Sequence, residues 1–462
     1  MKPEASSQGD LLRQMGFASS TILVVSNMIG TGIYTTSGFI MGELQNPLIL
    51  LACWLCGGLF ALCGALCYGE LGARLPRAGA EYAFLRESFS PLAGFLSGWI
   101  SLIVGFSAPI AAGAIAFSAY FYPILGLDPG PGITVQVAGT AIATLSTTTI
   151  TAVAVVIVFS LLHGHSLLAG SRVQNALTGA NFVLILLFVT AGFALGSGAM
   201  QHFHLTPEMA AFSPETFAVS LIFVSFAYSG WNASAYLGAE ITTPQRNIPL
   251  SLLTGTLLVT GLYLLLNAVY VYAMPPEHMA GSIDVGTQSA RALFGPNIGR
   301  LVGIVIISGI LSAISAMTMA GPRVYYAMAR DGVFFPALAR VNPQRHTPAF
   351  SIALQAAIAC ILIFTATFAS LLMYIGFTLS VFALLTVIGM MRLRQRQPAE
   401  DIPYRTPGYP VTPLLFIAGH LWIFYYMLRS RPISALYGAL TIAAGLVAYR
   451  VFARTRRPDT AT

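Results

Sequence analysis

Charge is what this sequence has least of. Lys and Arg number 23 and Asp and Glu 16 in 462 residues, so 8% of the chain is charged, against about 25% in soluble globular proteins. A soluble enzyme or nucleic-acid binder of this length needs far more polar surface, and the net charge of +7 does not rescue either class. Lysine is almost missing: Lys2 is the single example, and every other cation is arginine. The five cysteines are too few for a disulfide framework. Four of them (Cys53, Cys56, Cys63 and Cys67) share one apolar run with no His or acid among them, which favours packing over a zinc site. No Gly-rich ATP loop with a lysine occurs, and Asp128, Asp284, Asp331 and Asp401 are isolated loop residues. Neither a nucleotide-driven pump nor a membrane-embedded enzyme is expected, and no cofactor or metal.

What is there instead is apolar length, with 56% of residues hydrophobic. A hydrocarbon core of about 30 Å takes roughly 20 apolar residues per helix. About twelve such runs occur, near 16–41, 48–71, 91–123, 144–163, 174–197, 214–241, 250–274, 298–329, 349–367, 369–391, 411–429 and 433–453. They are continuous rather than alternating, so the fold class is all-α integral membrane and not a β-barrel. If the N-terminus is cytoplasmic, 19 of the 23 cations fall inside, and only Arg291, Arg300, Arg429 and Arg431 fall outside. That split predicts an even number of spans, with both termini in the cytoplasm and the chain multi-pass in the cell membrane.

Two spans are interrupted. The first carries Asn27-Met28-Ile29-Gly30-Thr31-Gly32-Ile33-Tyr34 at mid-depth, and the sixth carries Phe226-Ala227-Tyr228-Ser229-Gly230-Trp231-Asn232. They superpose at an offset of 199, and the following Pro47-Leu48 and Pro249-Leu250 at 202. A repeat with an odd number of spans places its copies in opposite orientation, and paired Gly-interrupted segments point to a binding site. A half-helix starting after Gly30 offers N–H groups to a carboxylate. Half-helices ending near Ile29 and Tyr228 offer carbonyls to an ammonium. Both ends of an α-amino acid are matched. The alternative, glycines serving close helix packing, stands beside this reading.

These segments resemble the amino acid–polyamine–organocation transporters, and their L-type amino acid transporter branch most. Besides Met28 to Tyr34 and Phe226 to Asn232 with Glu240, the stretches Tyr68 to Tyr82, Arg323 to Gly332 and Tyr404 to Pro413 look like family loops. The resemblance implies a 5+5 inverted-repeat core with broken helices 1 and 6, in repeats 16–197 and 214–391, plus two peripheral helices in 411–453. Cytoplasmic segments 1–15, 392–410 and 454–462 complete the chain. It implies exchange or secondary active transport of amino acids by alternating access. The backbone of Ile29, Gly30, Thr31 and Gly32 would hold the carboxylate, Phe226, Ala227 and Tyr228 the amino group, and Trp231 a pocket wall or lid. One departure stands out. Sodium-independent relatives carry a lysine after a stretch like Ser171 to Ala180, and this chain has Asn181, which puts the coupling mechanism in question. Ser308, Ser312 and Ser315 share a face of the eighth helix, as part of a cation site or as helix contacts.

Other polar residues carry weaker signals. Glu70 and Glu240 end helices at the arginine-rich side, where an Arg partner such as Arg74, Arg246 or Arg323 is expected. His163 and His165 read as a solvated loop end. No acid stands in the broken segments, which favours neutral amino acids over cationic ones or polyamines. Proton- or sodium-coupled symport and a non-transporting amino acid sensor remain as alternatives. The expected partners are the amino acid and the lipid bilayer, with no nucleic acid. Members of the branch in animals pair with a single-span glycoprotein. No outside-loop cysteine offers such a link here, so no obligatory partner subunit is expected.

Overall fold

The computed structural model describes residues 13, 15–77, 79–137, 140–165, 167–204, 212–340, 348–396 and 402–455, as backbone alone at 136–137, 140–142, 167–178 and 453–455. Most of the segment 1–15, the tail from 456 and the side chains of the stretch from Ser171 to Thr178 lie outside the described residues.

The first span is two helices, α1 (Phe17–Met28) and α2 (Thr31–Leu44), bent by 41° at Ile29-Gly30, where the sequence predicts the break. α3 (Pro47–Arg74) begins at Asn46, whose side chain accepts from the N–H of Leu48 and Ile49, with Pro47 in the first turn. After the short α4 (Glu81–Ser88), α5 (Pro91–Ile100) and α6 (Ala108–Leu125) flank a π-helical stretch at Ser101–Ser107 and form one 35-residue span. A hairpin of β1 (Ile133–Val137) and β2 (Thr140–Leu145) follows.

α7 (Thr147–His165) and α8 (Leu167–Leu195) lead to α9 (Pro214–Ala227), which ends inside the segment where the sequence predicts the second break, and to the single turn α10 (Ala233–Tyr236). α11 (Pro244–Ala273), the short α12 (Pro276–Met279) and α13 (Val285–Phe294), and α14 (Pro296–Arg330) come next. α15 (Ala349–Thr365), α16 (Phe368–Arg396), α17 (Val411–Ser430) and α18 (Pro432–Thr455) complete the order. Among the described residues eight helices are long and apolar enough to cross a membrane, or nine with the bent first pair as one span. Gly179–Leu195, Pro214–Ala227 and Ala349–Thr365 are apolar but shorter. The protein is an all-α, multi-pass membrane protein.

Between membrane helices the contact is van der Waals packing over small residues. α3 shows it: a Cβ on Gly57 would lie 2.2 Å from Val224 of α9, and one on Gly58 2.5 Å from Thr260 of α11. Cys53 and Cys67 are buried on the same helix and all five cysteines are free thiols.

The arginine-rich end of α3 is fastened by Glu70, which is fully buried. Its carboxylate pairs with Arg74 at 2.7 Å and Arg394 at 3.2 Å, and accepts from the N–H and Oγ1 of Thr406, both at 2.8 Å. Of the expected partners Arg74 is present. Arg323 instead donates to Met319 O within its own helix. The second cation comes from α16, 324 residues away in sequence.

Candidate functional site

The two breaks meet. A Cβ on Gly32 would lie 2.4 Å from Ala227 Cα, and one on Gly230 2.6 Å from Asn27 O, so glycine alone lets the backbones approach this closely. Gly230 also has φ +98°, which an L side chain rarely adopts. Tyr263 of α11 joins the ends: its hydroxyl lies 2.5 Å from Met28 O and 3.1 Å from Ala227 O. With one proton it can serve both carbonyls only by sharing or alternating. Its ring packs against Trp54 and Tyr228, with centroids 5.4 and 5.1 Å away, and Tyr228 Oη donates to Trp54 O.

On the other side of the first break, no side chain caps α2. The N–H groups of Gly30, Thr31 and Gly32 donate to no acceptor among the described residues. A helix opening of that kind is suited to an anion.

A cavity of about 700 Å³ adjoins the breaks. Asn27, Phe226, Tyr228, Ser229 and Trp231 form its inner wall, and it runs to Arg323, Arg330 and Asp331 at the arginine-rich end. The opposite end is packed: Phe39 of α2 stacks on Phe223 at 5.6 Å, and Gly281 N–H donates to Gly38 O at 2.8 Å. Ile29, Gly30, Thr31, Gly32 and Ala227 are buried behind the wall and do not line the cavity. Trp231 is wedged edge-on against Tyr68, 4.6 Å between centroids, and a Cβ on Gly64 would lie 2.7 Å from its ring.

An amino acid permease profile matches residues 15–445 of this chain. The chain belongs to the amino acid permease family. It is a membrane transporter of amino acids and not an enzyme. Among its relatives are the b(0,+)-type amino acid transporter 1 of Mus musculus, 29% identical over 96% of this chain and 88% of the relative, and the serine/threonine exchanger SteT of Bacillus subtilis (strain 168), 27% identical over 95% and 96%. The large neutral amino acids transporter small subunit 2 of Homo sapiens is 27% identical over 97% of this chain and 82% of the relative. That last name corrects the expectation that no partner subunit is needed, because a protein similar along nearly the whole chain is a small subunit. A missing outside cysteine excludes a disulfide link, not association through helix faces.

Beside the breaks, Asn181 is buried and bonds the end of the first broken segment. Its Oδ1 accepts from Tyr34 Oη of α2 at 2.6 Å, and its amide packs on Gly309 of α14, where a Cβ would lie 2.7 Å away. Ser308 and Ser315 on α14 have separate partners. Ser308 Oγ bonds back to Val305 O at 2.7 Å, Ser315 Oγ pairs with His163 Nε2 at 2.8 Å, and Ser312 is also engaged. His163 is therefore no solvated loop residue: at 2% exposure it lines the cavity, while His165 is exposed. α14 crosses over the end of α7, a contact that helix position alone does not reveal.

Glu240 lines the cavity of the permease, and its backbone O accepts from Met15 N–H at 3.0 Å, tying the entry of α1 to the second broken span. Two residues with no role in the sequence reading stand out, Tyr263 and Glu81. Glu81 is buried in the cavity wall and bonded to Tyr68, Asn232 and Tyr236.

Proposed function

We propose that this permease exchanges neutral α-amino acids across the cell membrane by alternating access. The observation that carries the reading is Tyr263, whose one hydroxyl reaches the last carbonyl of each broken helix beside a cavity open toward one end. In this reading the free amides of Gly30, Thr31 and Gly32, with Ile29 at the break, take the carboxylate. Carbonyls of Phe226, Ala227 and Tyr228 take the ammonium, and Trp231 walls the side-chain pocket. Neutral substrates are favoured because the Glu81 carboxylate is occupied by three protein donors. The exchange mode follows the relative that is itself named an exchanger.

The repeats 16–197 and 214–391 are the two inverted halves, with 411–453 peripheral. The arginine-rich end faces the cytoplasm together with both termini, so the described conformation is open inward. Asn181, Ser312 and Ser315 occupy the region of any coupling ion. Counterflow in proteoliposomes tests the reading. Labelled neutral amino acid is expected to accumulate in vesicles preloaded with unlabelled substrate, in sodium-free buffer. Uptake that appears only with a sodium or proton gradient would replace exchange by symport. Binding without flux would leave a sensor.

A further inference from the structure

Glu81 lines the cavity at 7% exposure, yet the proposed substrate site gives it no task. The turn before it is built to send it inward: φ is +98° at Gly79 and +37° at Ala80. The second is a strained conformation for alanine. The carboxylate then gathers donors from two other parts of the chain. Tyr68 Oη of α3 at 3.0 Å and Asn232 Nδ2 of the second break at 2.7 Å both reach Oε1, and Tyr236 Oη of α10 reaches Oε2. Gly79 N–H adds a backbone bond to Tyr236 O at 3.1 Å. One side chain thus pins the far half of the broken sixth span to the end of α3.

The cations of the surrounding elements are engaged elsewhere. Arg74 and Arg394 pair with Glu70, and Arg86 with Asp331, which also accepts from Tyr82 Oη. Arg323 bonds Met319 O, Arg330 lies over Tyr326 and Arg392 over Phe89. Arg77 and Arg396 are exposed. α5 and the π-helical stretch hold no ionisable residue, Glu87 is on Glu81's own helix, and Glu240 and Asp331 are the other acids along the cavity. Burial without an opposing charge pushes the Glu81 carboxyl above its ordinary range, and its hydrogen bonds counter this only in part.

We propose that Glu81 is a proton-binding site of the carrier: closing this latch takes a proton from the arginine-rich side, and opening it releases the proton to water. The proton is taken up on Oε2, which still accepts from Tyr236 Oη, while Oε1 goes on accepting from Tyr68 and Asn232. Asn181 supplies no titratable proton at the first break, and Glu81 supplies one at the second. The inference rests on the carrier reading, so its test has an arm that needs no transport.

That arm is thermal unfolding of the purified full chain against pH. A carboxyl held above its unfolded value favours folding in acid, and that contribution is lost as pH rises through the raised value. Glu81→Gln never ionises. It is expected to melt above wild type at about pH 7.5, the gap closing as pH falls toward the ordinary carboxylate range near about 4.3. In the transport arm, wild-type exchange is expected to fall about tenfold on acidification as the latched form accumulates, within the usual range of coupling between two binding events. Glu81→Gln should stay flat at the acid-limit rate. Tyr236→Phe keeps the carboxyl but removes one of its donors, and so should move the midpoint to higher pH. A melting gap that ignores pH, a wild-type profile retained in Glu81→Gln, or an unmoved midpoint in Tyr236→Phe each overturns the proposal. Absent exchange with an intact melting effect would overturn the carrier reading instead.

Discussion

Gly32→Ala is expected to lower exchange by about 100-fold, the cost that roughly 1 Å of misplacement brings to a positioned site. The added Cβ would stand 2.4 Å from Ala227 Cα and 2.8 Å from its Cβ. Ordinary contact starts near 3.4 Å, so the two breaks must separate by about 1 Å, and a backbone atom cannot rotate away as a side-chain tip can. Separation carries the α2 amides away from the carbonyls of α9, and with them the two halves of the proposed zwitterion site. Gly261→Ala on α11 is the control, because a Cβ there meets nothing within 4 Å. Initial rates in proteoliposomes, with melting temperatures alongside, decide the matter. Wild-type rates in Gly32→Ala would show that the breaks do not act as one site.

Glu70→Ala carries the largest expected cost in stability. The carboxylate is fully buried between Arg74 and Arg394 and also accepts twice from Thr406. Removing it leaves two guanidinium groups facing each other without their shared counter-charge, and breaking a buried pair in this way costs about 3–5 kcal/mol. It also unties the segment at Thr406 from α3. Thermal unfolding in detergent should show a marked drop for Glu70→Ala and a smaller one for Glu70→Gln, which keeps the acceptor oxygen. A melting curve matching wild type would mean that water screens the pair.

The first break was legible because Gly30-Thr31-Gly32 interrupts an apolar run, and the second because it repeats the first at a fixed offset. The residue that joins them was not. Tyr263 sits in an unbroken apolar helix, and nothing local distinguishes a tyrosine that caps two distant carbonyls from one that packs. Glu81 belongs to a recognisable loop, yet its burial depends on the left-handed turn at Gly79-Ala80, which the Ala does not announce. His163 escapes the sequence for a related reason: it ends its helix, where solvent is expected, yet it is buried and Ser315 of α14 bonds it. Glu70 lies between these cases. The need for an arginine followed from its position, and Arg74 was in reach four residues on, but Arg394 is fixed by tertiary structure alone.

The central claim is that the two breaks form one site read by both ends of an amino acid. Competition in counterflow tests it most directly, using a transported amino acid, its N-acetyl derivative and the amine that lacks the carboxylate. Hydrogen bonds to charged groups are worth about 1.5–3 kcal/mol each, so either truncation should weaken competition by about 100-fold. An N-acetyl derivative or an amine that competes as well as the parent would contradict the account, because one end of the substrate would then be unread.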